Sequence, residues 1–345
     1  MAPLTGAGWS VSPSAEETLW LRVEELSAVA GVRRRVTALA GRLGFSEDRL
    51  AQIALAVSEA ASNLHKHAVN GMIGVWVARA GGVAAIEFVC VDSGPGIADV
   101  PRSMLDGYST SGTLGLGLGA ISRLADSSDL HSIPRRGSVL TARFAVEPGH
   151  ETAGGHSGLT KPKPGEQVCG DGYAVHTGDG VTHVMLCDGL GHGALAERAA
   201  AEAVRAVRQS DLAAGPGAML AQIHRRLAPT RGGAVAVAEI DFAAGRVRYA
   251  GLGNIAGWIV DPERRRGMIS VPGIAGHQAR TIREHAYDLP PDATVVLHSD
   301  GLNQRWSPVD YPGLFTRRPM LVTATLLRDA GVRNDDASIV AVRAG

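Results

Sequence analysis

Cysteine, net charge and long apolar runs are all scarce in this sequence. The three cysteines, Cys90, Cys169 and Cys187, lack zinc-site spacing and lie in or beside apolar runs, which predicts free, buried thiols in a reducing compartment. Lys plus Arg and Asp plus Glu number 34 each, so the charge balance indicates neither nucleic-acid binding nor an anionic membrane. No apolar segment could span a membrane, and the N-terminus lacks a basic region followed by an apolar one. We therefore expect a soluble, cytoplasmic protein.

The rest of the composition is that of a folded protein with more than one domain. A length of 345 residues suggests two domains, and 45% hydrophobic residues with 20% charged residues allow a sizeable core. The stretch 148–158 combines Pro, Gly, His, Glu and Thr with almost no apolar residues, which is typical of a linker. We therefore predict a first domain over 1–147, a linker over 148–158 and a second domain over 159–345.

Both domains combine predicted helices with predicted strands, so the expected fold class is α/β (α+β). In the first domain Ser46 is expected to cap a helix that runs to about residue 68, and strands follow over 73–78 and 84–91. In the second domain strands over 167–176 and 181–186 precede two helices. Further strands and a helix over 319–330 complete it.

Polar residues interrupt the apolar face of the helix that follows Ser46. Glu59, Asn63 and His67 recur every four residues, so Glu59 and Asn63 share a face. Each could have a local role only, with Asn63 bonding nearby backbone and His67 packing at the helix end. Asp92 ends an apolar strand, where a buried carboxylate needs a hydrogen-bond donor, and a purine amino group would serve.

A glycine-rich loop follows, in which Gly115, Gly117 and Gly119 come just before a helix. Backbone N–H groups in such a loop and the helix N-terminus can bind phosphates, although a glycine-rich turn explains the glycines alone equally well. The order of a polar helix, an Asp-Gly strand end, a glycine-rich loop and a helix favours a nucleotide site.

These motifs resemble the ATP-binding domain of the GHKL superfamily, in the branch of small anti-sigma-factor serine kinases and stressosome switch kinases. The resemblance covers about residues 15–146 and implies an α/β sandwich that binds ATP and Mg²⁺. It implies that Asn63 holds Mg²⁺ at the phosphates, that Asp92 binds adenine, and that Glu59 is the general base for a substrate serine. The pocket residues that it implies are Gly94, Gly96, Gly115, Gly117, Gly119 and, by a looser match, Thr141.

Four Asp-bearing turns stand apart in the second half of the chain, at Asp171, Asp188, Asp300 and Asp335. Any one of them could be an ordinary turn, but together they can hold two divalent cations. Two metals suit the hydrolysis of phosphate esters, and oxygen ligands favour Mg²⁺ or Mn²⁺ over Zn²⁺. Cys187 is expected to point into the core, because alternation turns it away from Asp188.

This half resembles the bacterial metal-dependent serine/threonine phosphatases of the type 2C fold, close to the stressosome-feedback and sporulation phosphatases. The resemblance covers about residues 159–343 and implies a β-sandwich flanked by helices (αββα). It implies that Asp188 bridges two Mn²⁺ or Mg²⁺ ions. Asp171 and the carbonyl of Gly189 would hold one ion, and Asp300 and Asp335 the other.

Three details of this resemblance leave alternatives. Asp336 is an alternative ligand to Asp335, and His192 could lie near the phosphate or only pack in its turn. Gly170 stands where larger members carry an acidic residue, which would weaken binding of the first metal.

Together the two resemblances predict a bifunctional regulator of bacterial partner-switching signalling. The first domain would phosphorylate a serine or threonine on a STAS-domain antagonist or a stressosome scaffold protein, and the second would remove it. A sigma factor is a further candidate partner, and neither nucleic acid nor a membrane is expected. The alternatives are an ATP-gated anti-sigma-type binding protein and a phosphatase whose kinase-like domain only senses nucleotide.

Overall fold

The computed structural model describes residues 8–80, 83–103, 117–147, 155–279, 281–332 and 334–344. The described chain divides into two compact units. The first unit holds residues 16–147, and the second holds residues from 155 onward together with residues 8–15. Among the described residues no helix is long and apolar enough to cross a membrane.

The first strand of the chain accounts for this division. Strand β1 (Trp9–Val11) pairs antiparallel with a strand of the second unit, and Val11 lies opposite Ala174. The sequence had placed residues 1–147 in one domain, and the structure differs because β1 joins the second unit. The first unit is therefore inserted, along the chain, between two parts of the second.

The first unit is one antiparallel sheet with helices on one face. The sheet order is β2-β3-β4-β6-β5. The helices bury Val36, Ile53 and Val57 against sheet residues such as Phe88 and Phe144. The strands are β2 Thr18–Arg22, β3 Met72–Ala80, β4 Val83–Val91, β5 Ser127–Ile133 and β6 Gly137–Ala145, and the helices are α1 Leu26–Gly41, α2 Glu47–His67, α3 Val100–Ser103 and α4 Gly117–Leu124.

Helix α2 carries the predicted polar face and begins where the sequence places it. The hydroxyl oxygen of Ser46 accepts a hydrogen bond from the N–H of Arg49, and Glu47 and Asp48 lie in the positive first turn. Ile53, Val57 and other apolar residues of one face are buried in the core.

Within its described residues, the second unit contains two sheets and three long helices. One sheet has the order β1-β8-β9-β10-β11-β14, with β15 also paired to β11, and the other has the order β13-β12-β16-β17-β7. Its other strands are β7 His156–Lys161, β8 Asp171–Gly178, β9 Val181–Gly189, β10 Gly233–Asp241, β11 Arg246–Leu252, β12 Ala256–Val260, β13 Arg265–Met268, β14 Ser270–Val271, β15 Glu284–Asp288, β16 Thr294–His298 and β17 Ala337–Arg343, and its helices are α5 Ala194–Arg208, α6 Gly215–Leu227 and α7 Pro319–Ala330.

The two sheets pack face to face with helices outside. Residues of both sheets, including Leu186 and Val295, share one buried cluster. A second cluster joins the outer face of the β8–β11 sheet to α5 and α6 and contains Cys187, as its alternation predicted. Helix α7 packs against β17 and β7 of the other sheet. This arrangement confirms the predicted fold class, an αββα sandwich.

Strand β7 lies partly in the stretch that the sequence analysis interpreted as a linker. It pairs with β17, so His156, Ser157 and Gly158 belong to a sheet. The sequence does not reveal this part of the strand, because none of the three residues has an apolar side chain. Gly158 is instead packed against the ring of Tyr173. A β-carbon on Gly158 would lie only 2.4 Å from the ring.

Candidate active sites in the two units

The carboxylate of Asp92 is held in place at the end of β4. Its Oδ1 accepts a hydrogen bond from the N–H of Gly94 at 2.6 Å, and its Oδ2 accepts one from the N–H of Ser138 at 3.0 Å. The N–H of Asp92 donates to the carbonyl of Ser138 at 3.1 Å. These two hydrogen bonds from backbone N–H groups fix the carboxylate at the strand end, and a fixed position is what a side chain that binds a ligand requires.

The glycines around Asp92 are required by space and by backbone angle. Gly96 has a φ of 72°, and a β-carbon there would lie 2.4 Å from the carbonyl oxygen of Ile133. A β-carbon on Gly94 would lie 2.8 Å from Asp92 Oδ1 and 3.0 Å from the carbonyl oxygen of His67. The end of α2 and the Asp92 turn are therefore in contact, and side chains are excluded between them.

Helix α4 begins beside the polar face of α2. A β-carbon on Gly117 would lie 3.7 Å from Asn63 Nδ2, so the N-terminus of α4 and the amide of Asn63 are neighbours. Glu59 lies one turn before Asn63 on α2, and both are half-buried. Gly119 is buried in the first turn of α4, and Gly115 lies outside the described residues.

Thr141 does not join this group. It lies in β6 between Leu140 and Ala142, which pack under the helices, so its side chain faces away from them. Its hydroxyl donates to the carbonyl of Asp129 at 3.3 Å. Ser138, which the sequence did not indicate, contacts the carboxylate of Asp92 through its N–H, as Gly94 does. The Gly137-Ser138 pair, directly after a turn, was the available signal.

In the second unit two of the predicted Asp residues lie directly opposite each other. Asp171 begins β8, Asp188 lies near the end of β9, and the register of the two strands pairs them. The N–H of Gly189 donates to the carbonyl of Gly170 at 3.1 Å, which continues the ladder to the end of the sheet. A β-carbon on Gly189 would lie 2.3 Å from the carbonyl oxygen of Ala196, so only glycine fits there.

The remaining acidic residues come from the other sheet. Asp300 follows β16 and is exposed, and its Oδ2 accepts a hydrogen bond from the side-chain amide of Asn254 at 2.6 Å. Asp335 and Asp336 precede β17. Asp336 is buried, its Oδ1 accepts from the N–H of Lys163 at 2.8 Å, and Asp335 Oδ1 accepts from the N–H of Asp336 at 3.0 Å.

Burial and mutual repulsion raise the pKa values of Asp171, Asp188 and Asp336. Burial raises the pKa of Asp171 to about 7, with a further rise from the charges of Asp336 and Asp300 and a partial offset from the hydroxyls of Ser299 and Ser338. Burial likewise raises the pKa of Asp188 to about 9, helped by the charges of Asp171 and Asp300. The carboxyls of both sheets therefore form one acidic cluster at this end of the unit.

The cluster fits divalent cations in several respects. Asp171 Oδ2 and Asp336 Oδ2 are buried without a hydrogen-bond partner, although buried carboxylate oxygens require one. Among the described residues, however, no three His, Cys, Asp or Glu side chains are placed so that together they could hold one metal ion. Mg²⁺ in proteins often takes one or two carboxylates and fills its shell with water, which the cluster allows.

Gly170 stands where larger phosphatases of the type 2C fold carry an acidic residue, and in the structure it lies against the carboxylate of Asp336. A β-carbon on Gly170 would lie 2.7 Å from Asp336 Oδ2, so the carboxylate of Asp336 occupies the space that a side chain at 170 would take. A buried carboxylate is therefore present beside Asp171 in spite of the glycine at 170.

His192, in the turn after Asp188, forms a hydrogen bond that the sequence did not indicate. Its Nδ1 lies 2.6 Å from Oε1 of Glu166. No motif marked Glu166, because it lies in the irregular stretch before β8.

Comparison with known proteins finds a match for each half of the chain. The family described as histidine kinase-like ATPase domain matches residues 23–144, and the family described as stage II sporulation protein E (SpoIIE) matches residues 178–345. The serine/threonine-protein kinase RsbT of Bacillus subtilis (strain 168) is 38% identical over 104 residues, which are 30% of this chain and 78% of RsbT.

The second half matches a phosphatase of the same organism. The phosphoserine phosphatase RsbX of Bacillus subtilis (strain 168) is 21% identical over 142 residues, covering 41% of this chain and 71% of RsbX. A crystal structure of RsbX with magnesium is similar over 55% of this chain and 94% of that chain, with 18% identity and a TM-score of 0.45. Both predicted resemblances are confirmed. The chain thus belongs, through its first unit, to the family of RsbT-like kinases with a histidine kinase-like ATPase domain, and most of its second unit matches the family described as stage II sporulation protein E (SpoIIE).

Proposed function

We propose that this protein is a cytoplasmic, bifunctional regulator of partner switching, which phosphorylates a serine or threonine of a partner protein with its first unit and removes such a phosphate with its second. RsbT is named as a serine/threonine-protein kinase and RsbX as a phosphoserine phosphatase, and the chain matches most of the length of both. The proposed partners are STAS-domain antagonists or stressosome scaffold proteins, with a sigma factor as a further candidate.

The observation that carries the phosphatase proposal is the acidic cluster. Asp188 is proposed to bridge two Mn²⁺ or Mg²⁺ ions, with Asp171 and the Gly189 carbonyl on one ion and Asp300 and Asp335 on the other. The bound ions would supply an activated water and neutralise the phosphate. The direct pairing of Asp171 with Asp188 supports this assignment, and Asp336 remains the alternative to Asp335.

The kinase proposal depends on the placement of three side chains in the first unit. Asp92 is proposed to accept a hydrogen bond from the adenine amino group, Asn63 to hold Mg²⁺ at the phosphates of ATP, and Glu59 to accept the proton of the substrate hydroxyl. The position of Gly117 beside Asn63 supports a phosphate site at the N-terminus of α4. Gly94, Gly96 and the 115–119 loop would shape the pocket.

The test is phosphate release from a phosphoserine peptide with Mn²⁺, measured for the native chain and for Asp188→Asn. We expect release by the native chain and background levels in the variant. Asp292→Asn is the matched control, because Asp292 is exposed and outside the cluster, and it should behave as the native protein. Release that persists in Asp188→Asn would contradict the proposed site, and calorimetry that detects no Mn²⁺ binding to the native chain would contradict the metal-dependent mechanism.

A further inference from the structure

A buried arginine of the first unit binds the end of α4 that lies away from the proposed phosphate site. Arg49, in the first turn of α2, is 8% exposed, and its Nη1 donates a hydrogen bond to the carbonyl of Leu124 at 2.8 Å. Leu124 is the last residue of α4, and the first residue of that helix lies beside Asn63. One arginine therefore holds the C-terminal end of the helix whose N-terminal end is proposed to bind phosphate.

The same guanidinium forms an ion pair with the connection between α4 and β5. Its Nη2 donates to Oδ2 of Asp126, and that oxygen also accepts a hydrogen bond from the N–H of Ala145 in β6 at 2.6 Å. The N–H of Asp126 donates to the carbonyl of Arg143, also in β6, at 3.0 Å. The connection that follows α4 is thus fixed to β6 and, through Arg49, to the start of α2.

Two further contacts hold the guanidinium of Arg49 in one position. Its Nη1 also donates to Oε1 of Gln52 on α2 at 2.8 Å. Its central carbon lies 5.0 Å from the centre of the ring of Phe144, which is fully buried in β6. The planar guanidinium therefore contacts α2, the end of α4 and the sheet at once, and the ammonium of a lysine could not reproduce this fixed geometry.

Stability alone is a poor explanation for a buried ion pair at this place. The attraction between two buried charges recovers little more than the cost of removing them from water, and apolar side chains of similar volume often stabilise a core as well or better. Within the described residues Nε of Arg49 has no hydrogen-bond partner, so the pairing is incomplete. Charge-assisted hydrogen bonds do, however, fix the relative position of the elements that they join, and here they join α4 to α2 and the sheet.

We propose that Arg49 is a positioning residue of the nucleotide site, which holds α4 so that the N–H groups of its first turn lie at the phosphates bound beside Asn63. This inference rests on the kinase function proposed above and adds the residue that sets the position of its phosphate site. In this role Arg49 acts through α4 and does not contact the nucleotide. The proposed adenine ligand, Asp92, is held separately by the N–H groups of Gly94 and Ser138. Loss of Arg49 should therefore weaken contacts to phosphate and leave contacts to adenine unchanged.

The test compares the binding of ADP and of adenosine to the full chain in Mg²⁺ by calorimetric titration. The double variant Arg49→Met with Asp126→Asn removes both charges, so that neither is left buried and unpaired. It should bind ADP about tenfold more weakly than the native chain, the loss expected for one hydrogen bond to a charged group, and adenosine within about twofold of native. Arg49→Lys alone should retain part of the ADP affinity. Arg34→Met is the matched control, because Arg34 is exposed on α1, and it should bind both ligands as the native chain does.

Two results would overturn the proposal. One is native ADP affinity in the double variant, which would mean that the ion pair serves the core alone. The other is an equal loss for ADP and adenosine in the double variant or in Arg49→Lys, which would mean that the arginine supports the fold as a whole. A native chain that binds ADP no more tightly than adenosine would contradict the proposed phosphate site and this role with it. A chain that behaves as expected in these titrations and yet transfers no phosphate to a STAS-domain protein would contradict the kinase function and leave the role of Arg49 intact.

Discussion

Replacing Asp171 by Asn should stabilise the metal-free second unit and at the same time weaken the metal-bound one. The carboxyl of Asp171 is 5% exposed, and its Oδ2 has no hydrogen-bond partner. Asn has almost the same shape, but it does not ionise and is a poorer ligand for a hard cation. In EDTA the variant therefore avoids the free-energy cost of a buried, ionised carboxyl and should be more stable than the native protein. With Mn²⁺ it lacks a metal ligand and should be less stable. The order of stability of the two proteins should reverse when Mn²⁺ is added.

The magnitude follows from the raised pKa of Asp171. A rise from 3.8 to about 7 corresponds to a cost on the order of 4 kcal/mol for the ionised, metal-free form, an upper bound because Asp300 leaves the cluster open to water. The folded state keeps the Asp171 proton in a pH range where the unfolded state has released it. The native protein therefore loses stability relative to Asp171→Asn as pH rises from about 4, its unfolded pKa, through about 7, its folded pKa, and the difference is nearly constant above that range.

Hydrogen exchange of the amides of β16 (Thr294–His298) is the suitable assay, because it reports opening of the second unit separately from the first. Exchange is compared between native protein, Asp171→Asn and the exposed-site control Asp292→Asn, in EDTA and in Mn²⁺. Equal protection of native protein and Asp171→Asn in EDTA at about pH 8, or no reversal with Mn²⁺, would refute the reasoning.

Two further predictions concern the first unit and the backbone. Glu59→Gln should retain ATP binding, measured by calorimetry, and lose phosphorylation of a STAS-domain substrate. Asp92→Asn should lose ATP binding itself. Phosphorylation at the native rate in Glu59→Gln would instead favour an ATP-gated binding protein. Gly189→Ala should destabilise the second unit by about 1–3 kcal/mol in chemical unfolding, because its β-carbon meets the Ala196 carbonyl, whereas Gly31→Ala, in open space on α1, should stabilise the first unit by about 0.5–1 kcal/mol.

Local signals in the sequence predicted most helices and many strands correctly. Ser46 is a cap followed by two acidic residues, and α2 begins directly after it. The apolar run that ends at Asp188 is a strand, and α7 has the predicted bounds Pro319–Ala330. In each case the information lies within a few residues of the element.

The elements that were missed depend on distant partners. Strand β1 is three residues long and is stabilised by β8, about 160 residues away, with Ser12 bonded to the backbone of Tyr173. Nothing near Trp9 in sequence records that partner. Ser138 was missed for another reason, since the Gly137-Ser138 pair marks the start of a strand but does not show that its backbone N–H meets the carboxylate of Asp92.

The site residues also divide into those marked by the local sequence and those that depend on distant partners. The four Asp-bearing turns are visible because each lies at a strand end or within two residues of one, whereas Glu166 lies in an irregular stretch and is brought to the turn after Asp188 only by the fold. Asp336 is the intermediate case. Its position next to Asp335 is evident, but its place in the space beside Gly170 depends on how β17 and β8 approach each other.

The covalent connection of the two proposed activities has a consequence for signalling. With kinase and phosphatase on separate chains, the phosphorylated fraction of a partner depends on the ratio of two expression levels. In this chain the first unit is inserted between β1 and the rest of the second unit, so each copy carries one of each. The number of kinase sites per phosphatase site is then constant at any expression level. Control of the partner must therefore act on the relative rates of the two units, for which ATP in one site and divalent cations in the other are the natural ligands.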